Sequence, residues 1–85
     1  MKPSIGRIVH YTLSDVDVLR IKVMPHDNTR NGHLIGQHLP MIICVVHEAC
    51  VTGQVFLDGQ DSLWIVNRVE GTEPGTWHWP ERVEE

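Results

Sequence analysis

The side chains best suited to chemistry lie near the end of the sequence, in Gly75-Thr76-Trp77-His78-Trp79-Pro80. Two of the chain's three tryptophans flank a histidine in this stretch, and Arg82 follows it closely. Indole rings stack on flat bases, and guanidinium groups form paired hydrogen bonds with phosphate. The stretch therefore predicts a binding site for a flat, anionic ligand such as a nucleotide. A tryptophan lid over the hydrophobic core is the alternative interpretation.

Residues of the same chemical types occur along the rest of the chain. Tyr11 offers another ring for stacking, and Asn31 offers an amide for the edge of a base. Trp64 is a further ring of this type, although we assign it to the core. We predict that the ligand-binding residues are Tyr11, Arg30, Asn31, Arg68, Trp77, His78, Trp79 and Arg82.

Patterns for metal binding and catalysis are weak. His47-x-x-Cys50 has ligand spacing, and His33 and His38 are close in sequence, but Cys-x-x-Cys and His-Glu-x-x-His are absent. The sequence also lacks Gly-x-Ser-x-Gly and a phosphate-binding glycine-rich loop. Cys44 lies in a β-branched run, where we expect a small core residue rather than a nucleophile. We therefore predict no catalytic residue, no metal site, no cofactor and no enzymatic activity.

Length and charge narrow the choice of partners. A chain of 85 residues predicts a single domain, residues 1–85. The formal charge of −4 disfavours duplex nucleic acid, which requires a basic surface, but permits a small anion held by a few arginines. No apolar run is long enough for a transmembrane helix, and no signal-peptide segment is evident. We expect a cytoplasmic protein without membrane contact, in which Cys44 and Cys50 remain reduced.

Several elements must position these residues. Residues 5–13 alternate loosely and predict the first strand. Ser14-Asp15-Val16-Asp17 resembles a capping box, so a short helix is expected after it, although a second strand over residues 18–23 remains open. Residues 24–39 form a polar, irregular segment. Residues 39–47 predict a strand that is apolar on both faces and is therefore buried on both sides or lies across an interface.

A hairpin is predicted over residues 54–66. A four-residue loop at 58–61 places Val55 opposite Trp64, whereas a two-residue Asp58-Gly59 turn would shift the pairing. We prefer the longer loop, because apolar residues then meet across the strands. The predicted core face is Val51, Val55, Leu57, Trp64 and Val66. The opposite face still carries Phe56, Leu63 and Ile65, so we expect it to meet another protomer or the C-terminal tryptophans.

The elements together predict a mainly β fold. We expect a small antiparallel, partly closed barrel of SH3 or OB type, with about four to six strands and at most one short helix. Closure of the sheet would remove exposed strand edges, which otherwise promote aggregation.

Three stretches carry a resemblance to a known family: residues 6–11, residues 55–64 and the ending Gly75-Thr76-Trp77-His78-Trp79-Pro80. In these the chain resembles a widespread family of small bacteriophage proteins, and it looks like one of the phage sponge families of anti-CBASS type. The resemblance implies a homo-oligomer in the host cytoplasm with ligand pockets between protomers. Such a protein captures cyclic nucleotide immune signals, of cyclic oligonucleotide or cyclic ADP-ribose type, without cleaving them. It thereby inhibits bacterial anti-phage defence.

Two other functions remain open. A phage accessory module that binds a host or virion protein would equally use an exposed apolar sheet face and an acidic surface. A small barrel that binds single-stranded nucleic acid is also compatible with the fold, although the charge of −4 counts against it.

Overall fold

Six elements follow one another in the computed structural model, which describes residues 1–25 and 31–81. They are β1 (Ile8–Thr12), α1 (Asp15–Val23), β2 (His38–Val46), β3 (Val51–Phe56), β4 (Ser62–Arg68) and β5 (Trp77–His78). The mainly β fold with one short helix is confirmed. Within these residues no helix is long and apolar enough to cross a membrane. Arg30 and Arg82 lie outside the described residues.

The strands form one antiparallel sheet in the order β4-β3-β2-β1-β5. The two ends of the sheet approach each other only at Trp77, which pairs with Tyr11 of β1 and forms a single bridge to Glu70. One bridge does not make a ladder, so the described sheet is not closed. The predicted partly closed barrel therefore fits only loosely.

Residues 15–23 form a helix because its first turn is capped on both sides. The Asp17 amide donates to Ser14 Oγ over 3.2 Å, and the Ser14 amide donates to Asp17 Oδ2 over 2.9 Å. This reciprocal capping box satisfies two amide donors that a helix start otherwise leaves unpaired. Val18 and Ile21 then face the core, which settles the choice between helix and strand.

Three strands begin after the same kind of turn. Gly6, Gly36 and Gly75 have φ angles of +89°, +88° and +88°, which glycine adopts without a steric cost. In each turn the residue after the glycine donates its amide to the carbonyl three residues earlier, as Thr76 does to Glu73 over 3.2 Å. The first of these turns explains why β1 begins at Ile8 rather than at residue 5 as predicted.

The register of the β3–β4 hairpin differs from both alternatives that the sequence suggested. Val55 lies opposite Leu63, not opposite Trp64. The Leu57 amide donates to the Asp61 carbonyl over 3.1 Å, which leaves a loop of residues 58–60, between the two lengths considered. A shift of one residue exchanges the faces of a strand. Ile65 therefore joins Leu63 in the core, while Trp64 lies outside it.

The assignment of Trp64 and Val66 to the core is consequently wrong, and both are exposed. They lie on the face of the sheet that is turned away from the core, which we call the outer face. The pairing places these residues on the outer face: Ile8, His10, His38, Pro40, Ile42, Gln54, Phe56, Ser62, Trp64, Val66 and His78.

Strand β2 is buried on one face only. Leu39, Met41 and Ile43 belong to the core, whereas Ile42 and Cys44 are half-buried on the other side. The expected burial of both faces is thus only partial, and Cys44 is not a core residue. Cys44 and Cys50 are both free thiols.

Candidate functional site

Two of the predicted stacking rings belong to the hydrophobic core. Tyr11 is fully buried, and its hydroxyl donates to Asp17 Oδ2 over 2.5 Å. Trp77 is almost fully buried, and its indole Nε1 donates to the Arg68 carbonyl over 3.1 Å. Almost none of either ring is exposed to solvent, so for Trp77 the structure favours the lid over the core.

Burial also determines the protonation of Tyr11. Burial of the phenol is the main reason that the pKa of Tyr11 lies far above its ordinary value. The hydrogen bond to Asp17 and the negative charge of that residue raise the pKa further, while Arg68 and Arg20 oppose the effect. The phenol therefore remains a hydrogen-bond donor at any physiological pH, and it serves the core rather than a ligand.

Trp79 is half-buried beside Trp77. The two rings meet edge to face at a centroid separation of 5.6 Å, and the Arg7 guanidinium carbon lies 5.0 Å from the centroid of the Trp79 ring. Edge-to-face packing and a cation over the ring are both favourable for aromatic side chains. The two contacts leave little of Trp79 for stacking on a base.

Two further predicted residues, Asn31 and Arg68, differ in their contacts. Asn31 donates from Nδ2 to Asp58 Oδ1 and from its backbone amide to the Asp58 carbonyl, each over 2.9 Å. Asn31 thereby fixes the β3–β4 loop. Arg68 is half-buried, and its Nε atom is buried without a hydrogen-bond partner.

His78 is brought together with two histidines that the sequence analysis did not group with it. His10 of β1 lies directly opposite His78 of β5, and His38 of β2 lies opposite Thr12. The ring centroids of His38 and His78 are 4.7 Å apart, and those of His10 and His78 are 5.6 Å apart. We call His10, His38 and His78 the histidine cluster.

A carboxylate lies at the edge of the histidine cluster. Glu81 Oε1 is 3.1 Å from His78 Nε2 and 3.3 Å from His38 Nδ1. One ligand atom from each of the three histidines lies within 4.8 Å of the other two. Within residues 1–25 and 31–81, these three histidines are the group of side chains that could hold a metal ion.

The sequence pairs considered for metal binding have other roles. His33 Nε2 accepts a hydrogen bond from the Asp58 amide over 2.9 Å, so His33 does not join His38. His47 Nε2 lies 3.3 Å from Thr52 Oγ1. Cys50 Sγ points to Asn67 Oδ1, at 3.8 Å. The histidine cluster could be found only from strand pairing, because its members are far apart in sequence and share no local motif.

The outer face also presents aromatic rings to solvent. Trp64 and Phe56 are 44% and 43% exposed, a large fraction for such apolar side chains. Gln54 lies opposite Trp64, and its Nε2 donates to Ser62 Oγ over 2.6 Å. Arg20 of α1 reaches the Trp64 carbonyl, at 3.5 Å. The outer face thus presents rings and an amide, and a guanidinium group from the helix on the core side reaches the backbone of Trp64.

A small pocket opens beside Trp77. Its volume is about 170 Å³, and its lining residues are Pro3, His47, Glu48, Ala49, Cys50, Val51, Glu70 and Trp77. Pockets for small molecules usually measure about 300–1,000 Å³. The pocket is too small for a nucleotide, and two carboxylates would repel one.

Comparison of the chain with known protein families, curated proteins and solved structures found no match. The chemistry of the outer face and of the histidine cluster therefore rests on this chain's own residues.

Proposed function

We propose that the protein is a phage-encoded, non-catalytic sponge that binds a small anionic nucleotide and so inhibits bacterial anti-phage defence. The ligand would be a cyclic oligonucleotide or a nucleotide of cyclic ADP-ribose type, captured by a homo-oligomer in the host cytoplasm. The observation that carries the proposal is the exposure of Trp64 and Phe56 on the outer face. The resemblance of the chain to phage proteins supplies the biological setting.

Stacking on Trp64 is the central contact of the proposed site. An exposed indole on a sheet face leaves apolar area in water, and a purine or pyrimidine base would cover it. Base stacking on an aromatic side chain contributes about 1–3 kcal/mol per base. Trp64 thus takes the role that the sequence had assigned to Tyr11 and Trp77, which are both buried.

Polar groups beside Trp64 suit the rest of a nucleotide. The Gln54 amide can contact the edge of a base, and it lies directly opposite Trp64. The Arg20 guanidinium group is exposed at the backbone of Trp64 and offers donors to phosphate. These contacts require no net positive charge on the chain, since one or two arginines suffice for a small anion.

A second copy of the chain would enclose such a ligand. Ile8, Trp64 and Val66 of the outer face are each about half exposed, and they extend the apolar surface across the sheet. Exposed apolar patches of this kind commonly become protein interfaces. A symmetric dimer through the outer face would place two Trp64 rings on either side of one pocket.

The outer face also favours a second function, an accessory module that binds a host or virion protein. Asp58 and Asp61 lie at the tip of the hairpin beside Phe56. Acidic groups around an apolar patch suit a partner protein with a basic rim. This function requires the same exposed face but no nucleotide.

Nucleotide binding and native mass distinguish the two functions. The purified protein is screened by thermal shift against cyclic di- and trinucleotides and the cyclic ADP-ribose isomers, and its mass is measured by native mass spectrometry. A ligand at 100 times its Kd adds about 2.7 kcal/mol, a shift of several degrees for a small domain. The sponge predicts one responding nucleotide class and an oligomer.

Trp64→Ala should weaken binding of that nucleotide by roughly tenfold or more, the loss expected for one stacked base. Leu19→Ala is the matched control, because Leu19 is exposed on α1 and is not part of the outer face. If no nucleotide in the panel raises the Tm, the sponge function is refuted. Retrieval of one stoichiometric protein partner that Trp64→Ala abolishes would then establish the accessory module.

A further inference from the structure

The histidine cluster joins three strands that are distant in sequence. His10 lies in β1, His38 in β2 and His78 in β5, and the pairing of these strands places all three on the outer face. Each imidazole offers a nitrogen ligand that suits Zn²⁺ and neighbouring divalent transition metals. The proposed stacking function uses Trp64 and does not account for three converging histidines.

The distances within the cluster match those between ligands of one metal ion. Two ligands bound tetrahedrally at 2.0–2.1 Å from Zn²⁺ lie about 3.3 Å apart. Glu81 Oε1 is 3.1 Å from His78 Nε2 and 3.3 Å from His38 Nδ1. Both separations are close to that of two ligands in a tetrahedral site. One ligand atom from each of the three histidines lies within 4.8 Å of the other two, so modest rotations of the rings would bring the three nitrogens to this separation.

Burial of ring nitrogens is the second observation. His10 Nδ1 and His78 Nδ1 are buried without a hydrogen-bond partner. Buried polar atoms in proteins almost always have a partner, and an exception calls for one that is not a protein group. A metal ion accepts the lone pair of an imidazole nitrogen and would supply that partner to His10 Nδ1, while His78 would bind the ion through Nε2, the nitrogen beside Glu81.

We propose that His10, His38, His78 and Glu81 form a four-coordinate site for one divalent transition-metal ion, with Zn²⁺ as the preferred ion. Three imidazoles and one carboxylate fill a tetrahedral shell with protein ligands, as structural zinc sites do. Glu81 is 63% exposed and closes the shell from the solvent side.

The site would fasten the end of the chain to the sheet. Strand β5 has only two residues, and its ladder with β1 consists of two residue pairs. Glu81 follows β5 closely, so a metal held by Glu81 and His78 links this segment to β1 and β2. Because the unfolded chain lacks the assembled site, metal binding stabilises the folded state.

The test uses the full, untagged chain after removal of metal with EDTA. Zn²⁺ is titrated by calorimetry, and Co²⁺ is added separately as a spectroscopic probe. We expect one Zn²⁺ per chain, a rise in Tm of several degrees in excess Zn²⁺, and the intense visible absorption of tetrahedral Co²⁺.

His38→Ala is the decisive variant, because His38 is exposed and its loss leaves the core intact. It should weaken Zn²⁺ binding by more than roughly 100-fold, since loss of an outer-shell partner alone costs 10–100-fold. His47→Ala is the matched control, because His47 contacts Thr52 outside the cluster. Absence of stoichiometric Zn²⁺ binding, or equal losses in His38→Ala and His47→Ala, would overturn the proposal.

Discussion

The Tyr11 hydroxyl donates a hydrogen bond of 2.5 Å to Asp17 Oδ2, and both side chains are completely buried. The same carboxyl oxygen accepts the amide of Ser14, the residue that caps α1. One acidic side chain thus begins the helix and attaches it to the first strand. This contact orients α1 over the core face and leaves the outer face uncovered.

Tyr11→Phe should destabilise the protein by roughly 1.5–3 kcal/mol, the usual contribution of a hydrogen bond to a charged group. The ring remains in place, so the loss reports the hydroxyl alone. Urea unfolding of Tyr11→Phe, Asp17→Asn and the double variant measures the coupling between the two side chains. If the losses in free energy of unfolding of the two single variants add up to that of the double variant, the hydrogen bond contributes nothing.

Alkaline pH should destabilise the protein through the same residue. The pKa of Tyr11 is raised above its ordinary value of 10.0, chiefly by burial. Above about pH 10 the unfolded chain releases the phenolic proton while the folded chain retains it, so the free energy of unfolding falls as pH rises. The fall approaches about 1.4 kcal/mol per pH unit. Urea midpoints at about pH 9 and 11 should fall further for the native protein than for Tyr11→Phe, and equal falls would contradict the assignment.

The sequence predicted the helix and strands of the fold better than the register in which the strands pair. Chemistry confined to a few neighbouring residues, such as the cap at Ser14 and Asp17, was visible and is confirmed. The hairpin register was not, because contacts from a distant segment fix the loop. The Asp58 amide donates to His33, and Asn31 donates to the Asp58 carbonyl.

The candidate sites depended on that register. A shift of one residue exposed Trp64, which had been assigned to the core. The histidine cluster could not be predicted from the sequence for a similar reason. Only the pairing of β1 with β2 and β5 brings His10, His38 and His78 together. The tryptophans near the end of the chain predicted a ligand-binding site, yet Trp77 is a core residue.

Ser14→Ala should lower the free energy of unfolding by about 1 kcal/mol, because the Asp17 amide then lacks its capping oxygen. Thermal unfolding followed by circular dichroism measures the change. Ser4→Ala is the control, since Ser4 is exposed and contributes its backbone carbonyl to the turn before β1. Equal stability of Ser14→Ala and the native protein would argue against the cap.

Gly53→Ala should destabilise the sheet by roughly 1–3 kcal/mol, the cost of overpacking a core. A methyl group at residue 53 would collide with the Ile42 carbonyl oxygen and would lie 3.0 Å from Met41 Cε. Gly32→Ala is the matched control, because a methyl group there meets nothing within 4 Å. The midpoint of chemical denaturation should be lower for Gly53→Ala than for Gly32→Ala. Similar midpoints would mean that β2 and β3 leave room for a methyl group at residue 53.

Trp64→Glu should convert the proposed oligomer into a monomer without unfolding it. Trp64 makes no contribution to the buried core, so a charge there leaves the fold intact, but it would place a carboxylate from each copy in the apolar contact. Leu19→Glu adds the same charge on exposed helix surface and should leave the mass unchanged. Sedimentation velocity at equal concentration measures the oligomeric state of the native protein and the two variants. If Trp64→Glu sediments like the native oligomer, self-association uses another surface. If it sediments as a folded monomer while Leu19→Glu remains oligomeric, the outer face is the interface.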